Sequence, residues 1–315
     1  MMNEWGKDGV PFLFVIDFEM QSPVVIREED ALRAGLHFSF RGISNDSPSG
    51  NPGRPFPFSK TPVPYERYSE AFRIVMERIR YGDSYLVNLT FPTPVQTTLS
   101  IGDIYRFSQA PYSLLLEEQF VVFSPEPFVR IRDGVISSFP MKGTIDGSLP
   151  DAEQVLLSNP KEIAEHNTIV DLIRNDLSIV AKQVRVNRFR HIDRVRTNLK
   201  ELLQVSSEIT GILDPGYPAR IGDLVFSMLP AGSVSGAPKR RTVEIIREAE
   251  ISPRGYYTGV MGRFDGQNLD SGVMIRFIEK TPSGLVFRSG GGITCFSDPV
   301  SEYNEMIDKV YVPFA

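Results

Sequence analysis

The sequence has one cysteine, Cys295, in 315 residues, so no intramolecular disulfide framework can form and a reducing compartment is implied. It has no long basic tract. The longest run, Lys239-Arg-Arg241, is too short to hold a nucleic-acid backbone by charge alone. No apolar run approaches membrane-spanning length, and the opening MMNEWGKDGV lacks the charged-then-apolar order of a secretory signal. No repeat or low-complexity tract occurs. PAGSVSGAPK is not a Walker A loop, because its glycines stand at the wrong distance from Lys239. What remains is a soluble cytoplasmic protein of ordinary globular make-up. Hydrophobic residues are 41%, charged residues 23% and the net charge is −5, enough apolar material to bury a large core.

Apolar runs and their periods give a coarse order of elements. PFLFVIDF reads as a buried strand, and ALRAGLHFSFRGI contains a second. Residues 44–64, rich in Pro, Gly, Ser and Asn, read as an irregular loop. Tyr65–Tyr81 carries Phe72, Ile74, Val75 and Ile79 at helical spacing. DSYLVNLTFPTPV reads as a strand, and residues 120–139 as two strands joined at Asp133-Gly134. Residues 151–181 read as a helix interrupted near Pro160, and the chain ends in an acidic helix. Strands and helices are grouped rather than alternating, which favours an α+β fold.

Several residues stand out chemically. Lys142 lies among small and apolar neighbours in SSFPMKGTIDG, after a strand and in what reads as a tight loop. A solvated loop charge and a nucleophile both fit that setting. Glu162 and Glu165 share a helical face, and Glu302 and Glu305 repeat the spacing on the last helix. Two solvated acidic faces would explain this pattern. Two converging helices that hold a hard cation would explain it too, and no Cys or His accompanies either pair to suggest zinc. RSGGGITC puts three glycines after a strand, suited either to a bulge or turn or to close approach of backbone N–H groups to a ligand. PAGSVSGAPK, before a helix, offers N–H donors for an anion. Arg276, on the apolar stretch GVMIRFIEK, needs a buried partner: a substrate carboxylate or a structural ion pair. VDLIRND reads as a helix end with Asp171, Arg174 and Asp176 in local pairs, and Cys295 as a buried small hydrophobe.

Nine ordered segments carry a resemblance: GDSYLVNLT, SPEPF, PMKGT, KEIAEHNTIVDLIRND, PAGSVSGAPKRRTVEII, RGYYTG, SGVMIRF, SGGGI and DPVSEYNEMIDK. From about Tyr65 to the C-terminus the chain resembles the chorismate-utilising enzymes, which include anthranilate, aminodeoxychorismate, isochorismate and salicylate synthases. The resemblance implies an α+β fold of two β-sheets with a helical layer and the site in a cleft between. It implies one catalytic domain over residues 1–315, with a shortened N-terminal region of about 64 residues. Within the family, lysine before Gly-Thr marks the aminodeoxychorismate branch, component I. Isochorismate and salicylate synthases place a water-activating lysine where Leu86 stands here, and Leu86 cannot be a base.

The site residues follow from the same resemblance. Chorismate is the implied substrate and Mg2+ the implied cofactor. Glu165 and Glu305 bind the ion directly, with Glu162 and Glu302 behind them through water. Lys142 attacks ring carbon 2 as a free amine, which requires a lowered pKa. Glu126 protonates the departing hydroxyl, which requires a raised one. Arg276, Tyr257, Gly290 and Gly292 bind the enolpyruvyl carboxylate, and Lys309 and Thr144 the ring carboxylate. Gln204 and Phe277 replace a histidine and a threonine common in relatives, and the missing histidine favours stopping before pyruvate loss. No glutaminase segment is recognisable. Ammonia then comes from a separate glutamine amidotransferase subunit, and a separate aminodeoxychorismate lyase would release pyruvate to give p-aminobenzoate for folate. The rivals are anthranilate synthase component I and a non-catalytic subunit that binds chorismate or a partner.

Overall fold

The computed structural model describes residues 1–46, 56–196 and 201–313. Two antiparallel sheets of nine strands each form the frame. The first runs β11 (Met141–Asp146), β13 (Glu201–Ile212), β10 (Val135–Ser138), β9 (Pro127–Arg132), β16 (Leu269–Val273), β15 (Val260–Phe264), β1 (Phe12–Ile16) and β2 (Val24–Arg27), with β12 (Lys182–Arg196) paired to β13. The second runs β14 (Gly236–Ala237), β6 (Leu86–Thr97), β18 (Gly284–Ile293), β17 (Phe277–Thr281), β8 (Phe120–Ser124), β7 (Tyr112–Leu116), β3 (Leu36–Phe40) and β4 (Ile43–Ser44), with β5 (Phe58–Lys60) paired to β6. Segments ahead of Tyr65 thus supply strands to both sheets. The expected irregular stretch 44–64 lies partly outside the described residues, and its described end forms β5.

Strand alternation explains the layering. Leu13 and Val15 of β1 point one way and pack with Phe38, Leu114, Val122 and Phe277 of the second sheet, so the sheets meet face to face. Phe12, Phe14 and Ile16 point the other way, into a core shared with Ile169, Ile173 and Leu177. Those three lie on α5 (Pro160–Val180), which follows α4 (Ala152–Ser158), and α6 (Ile221–Ser227) and α1 (Met2–Lys7) join the same layer. The outer face of the second sheet is covered by α3 (Ile101–Phe107) and by α2 (Tyr65–Tyr81), α7 (Lys239–Ala249) and α8 (Pro299–Asp308). Helix α2 has the bounds that its apolar spacing predicts, with Phe72, Val75 and Ile79 buried.

Two places where the chain changes sheets position the site. Residues 120–139 form three strands, not two, because Pro125 and Pro127 flank Glu126 and cannot donate to a ladder. Strand β8 ends in the second sheet and β9 starts in the first, with Glu126 at the crossing. GVMIRFIEK, whose apolar run reads as one strand, is corrected likewise. Strand β16 ends in the first sheet, β17 starts in the second, and Arg276 sits between them at φ +53. The crossings lie side by side: Val273 N–H donates to the Glu126 carbonyl at 3.0 Å, and Phe123 N–H to the Arg276 carbonyl at 3.0 Å. Corners of this kind join packed sheets.

Candidate active site

A cleft of about 260 Å³ opens where the crossings meet the ends of β11 and β18, and its lining includes Glu126, Lys142, Tyr257, Arg276, Glu305 and Lys309. Gly290 and Gly292 line it as well. Residues far apart in sequence are therefore brought to one cavity.

Lys142 lies in strand β11, not in a loop, which corrects the expectation from its glycine-flanked setting. The ladder with β13 slips between Lys142 and Thr144, where Gly143 has φ +78. That conformation favours glycine, and a Cβ there would meet Glu162 Oε2 at 3.0 Å. The bulge thus turns Lys142 toward the cleft while Glu162 packs over its neighbour. Lys142 Nζ lies 3.4 Å from Glu165 Oε2 and its side chain is 24% exposed, so it is not a freely solvated surface charge. The Thr144 side chain lies outside the described residues; its backbone pairs with Gln204, which lines the cleft.

The glycine run is neither a turn nor a bulge. Gly290, Gly291 and Gly292 stay in β18, in register with Thr90, Leu89 and Asn88 of β6. What they provide is room. A Cβ on Gly290 would sit 2.3 Å from the Leu89 carbonyl oxygen. One on Gly291 would be 3.4 Å from Glu302 Oε2 and 3.8 Å from Lys309 Nζ. One on Gly292 would be 3.0 Å from Leu86 Cδ1 and 3.5 Å from Lys142 Nζ. Removing side chains from this strand lets two lysines and the α8 carboxylates approach its backbone. Lys309 Nζ donates to the Gly290 carbonyl at 2.9 Å and pairs with Glu305 at 2.7 Å.

Burial sets the protonation behaviour. It pushes the Glu126 carboxyl above the usual carboxylate range, against a Ser233 hydrogen bond and the positive charges of Lys142, Arg276 and Lys309. Burial pushes the Lys309 ammonium down, with Glu305 acting in the opposite direction. It also raises the Tyr257 phenol to about 12, so that hydroxyl stays a donor at neutral pH. Among the described residues no carboxylate pairs with the Arg276 guanidinium, which rests over the Tyr311 ring at 5.4 Å. A non-glycine residue held at positive φ with a cation facing a cavity is suited to an incoming anion.

The four helical glutamates lie two on each of two helices, and among the described residues no group of three His, Cys, Asp or Glu side chains is placed to hold a metal ion. Glu162 and Glu165 lie on α5, which packs on β11, while Glu302 and Glu305 lie on α8, which packs on β18. The donors are all carboxylate oxygens, and a hard ion such as Mg2+ needs only one or two of them before water and substrate complete its shell. The donor chemistry suits such an ion, while in this structure Lys142 and Lys309 lie against Glu165 and Glu305.

Other expectations are corrected. Asp176 does not pair locally: its Oδ1 accepts from Lys239 Nζ at 2.7 Å, and only Asp171 and Arg174 pair with each other, at 2.7 Å. VDLIRND is the interior of α5, not its end. Cys295 is exposed, not buried. PAGSVSGAPK forms a turn at Gly232–Val234 and strand β14, which pairs with β6. That turn delivers Ser233 to Glu126, a partner the sequence reading missed. Asn88 was missed too. It lines the cleft with its Oδ1 buried and without a hydrogen-bond partner among the described residues. Its place two residues after Leu86 on one strand was the available signal.

A family profile described as chorismate binding enzyme matches residues 22–314. An uncharacterised PabA-like protein of Haemophilus influenzae is 48% identical over 311 residues, covering 99% of this chain and 94% of that protein. Aminodeoxychorismate synthase component 1 of Bacillus subtilis is 32% identical over 79% of this chain, which spans 55% of that enzyme. The crystal structure of anthranilate synthase component I from Streptococcus pneumoniae superposes with a TM-score of 0.65 at 25% identity, covering 81% of this chain and 59% of that one. With a profile match over nearly the whole chain and a cleft built from the family's segments, this protein belongs to the chorismate-binding enzyme family.

Proposed function

We propose that the chain aminates chorismate at ring carbon 4 to give 4-amino-4-deoxychorismate, as component I of an aminodeoxychorismate synthase. The observation that carries this reading is the presence in one cleft of an amine, Lys142, and a carboxyl of raised pKa, Glu126. Lys142 Nζ forms a bond to carbon 2 as the ring double bond shifts and the bond from carbon 4 to its hydroxyl breaks. Glu126 gives its proton to that hydroxyl, which leaves as water. Ammonia then forms a bond to carbon 4, the double bond shifts back and Lys142 departs as an amine. The product keeps the three hydrogens of ammonia as an ammonium group.

The substrate's two carboxylates need separate cations. Arg276 and the Tyr257 hydroxyl hold the enolpyruvyl carboxylate with the backbone at Gly290 and Gly292. Lys309 and Thr144 hold the ring carboxylate. Glu165 and Glu305, with Glu162 and Glu302 behind them, would hold magnesium, which supplies positive charge to the ring carboxylate and draws electron density as the bonds shift. Gln204 lines the cleft where a histidine would serve pyruvate elimination, and an amide is no base. This favours the aminated product over anthranilate. Ammonia is supplied by a glutamine amidotransferase subunit, and aminodeoxychorismate lyase acts on the product.

Mass spectrometry of the products from purified protein, chorismate, magnesium and ammonium tests the reading. The expected product is aminodeoxychorismate, converted to p-aminobenzoate only when the lyase is added. Fluorescent anthranilate would replace this reading with its nearest rival, and no turnover would favour a binding subunit.

A further inference from the structure

A second cavity, of about 20 Å³, adjoins the cleft and shares Glu126, Pro140 and Ser233 with it. That volume is large enough for one water molecule, and polar groups line it. Glu126 lines it, beside Ser233. Asp176, buried on α5, lines it as well. Asp176 Oδ1 is taken by Lys239, but Oδ2 lies against the Gly232 backbone, 3.1 Å from where a Cβ would be. Gly232 precedes Ser233 in the same turn. Phe128, Ile173 and Leu177 line the rest of it. The chemistry described above makes no use of Asp176, and it leaves Glu126 without a proton at the end of each turnover.

We infer that the small cavity holds one water bridging Glu126 and Asp176, and that Asp176 returns a proton to Glu126 without using the substrate cleft. The inference rests on the reading of Glu126 as the acid. After Glu126 has given its proton to the leaving hydroxyl, the water donates one proton to the Glu126 carboxylate and takes one from the Asp176 carboxyl. Asp176 regains a proton from solvent by way of Lys239, whose side chain is 19% exposed. Each turnover thus draws one solvent proton, and the product carries it away as the difference between ammonia and an ammonium group. Burial pushes the Asp176 carboxyl above its ordinary range, which suits a group that must carry a proton. Asp176 touches no substrate and acts only through the water.

High-resolution diffraction from the full chain is the first test. A water within about 3.2 Å of a carboxyl oxygen of both Glu126 and Asp176 is expected. A dry cavity, or a water that reaches only one of them, overturns the inference. Kinetics are the second. Asp176→Asn is expected to lower kcat roughly tenfold to a hundredfold, at the low end for a proton-transfer group, and to raise the solvent deuterium isotope effect on kcat. The chorismate KM should stay near its wild-type value. Unchanged kcat, or a loss with no change in isotope effect, contradicts the relay. Should this variant fail to fold, Ala231→Val fills the cavity from its wall and keeps the Asp176–Lys239 pair. The same kinetic signature is then expected, and its absence counts against the relay. A wild-type chain that makes no aminated product defeats the reading of the cleft, while diffraction still decides whether the water is there.

Discussion

The cleft has two walls built on one plan, and they differ in how tightly each holds its lysine. On each wall a helix carries two glutamates three residues apart, and one lysine of the cleft pairs with the second of them. On the α8 wall Lys309 is fixed twice, to Glu305 at 2.7 Å and to the Gly290 carbonyl at 2.9 Å. On the α5 wall Lys142 has a looser contact of 3.4 Å with Glu165 and projects from a bulge toward Gly292 and Leu86. A cation held by two short bonds suits a fixed anion receptor. One held by a single long contact keeps the freedom to reach a carbon atom and withdraw. On the proposed reading, the same residue type serves two roles, set by what each wall offers it.

Exchanging or removing these groups should break the comparison unequally. Lys142→Ala has the largest expected effect: a fall in amination rate of roughly a hundredfold or more, the scale of a positioned reacting group. A wild-type rate in that variant would make the two lysines equivalent binders. Glu126→Gln comes next, with a kcat loss on the order of a hundredfold, read by steady-state assay. Because the folded-state pKa of Glu126 is raised, wild-type activity should fall as pH rises through it. The stability contributed by the protonated form should be lost over the same rise. Glu126→Gln escapes that loss, so its Tm at neutral and alkaline pH should exceed that of the wild type, and a lower Tm would contradict the assignment to burial.

Lys309→Met is expected to raise the chorismate KM about tenfold with kcat little changed, the pattern of lost uniform binding. An equal loss in kcat would show that Lys309 acts in the chemistry and blur the contrast. The smallest expected effect lies beneath the α5 wall. His166 is buried, its pKa is pushed down to about 4 by burial with help from Arg190, and its Nε2 meets Ser207 Oγ at 2.7 Å. Ser207→Ala should destabilise the chain by about 1–3 kcal/mol in denaturant titration, leaving catalysis nearly intact.

The sequence showed some of this plainly. Helix α2 could be read from the spacing of Phe72, Val75 and Ile79, and β1 from a short apolar run between turn signals. Glu126, Lys142 and the glutamate pairs were singled out through resemblance, since spacing alone favours solvated acidic faces. What stayed hidden depended on distant partners. An apolar run does not reveal which sheet each half joins, so β8 and β9 merged, as did β16 and β17. The Asp176–Lys239 pair joins residues 63 positions apart on two helices, and a local reading of VDLIRND could not find it. Ser233 gained meaning only when its turn met Glu126. Cys295 was assigned by the habits of its residue type, and its exposure reflects a loop that carries it outward.

The most direct measurement is quenched single-turnover peptide mass mapping with chorismate, magnesium and ammonium. A transient adduct equal to chorismate less one water should rise on the peptide containing Lys142 and decay as aminodeoxychorismate forms. Product that accumulates while this peptide stays unmodified at every time point would contradict a nucleophilic Lys142.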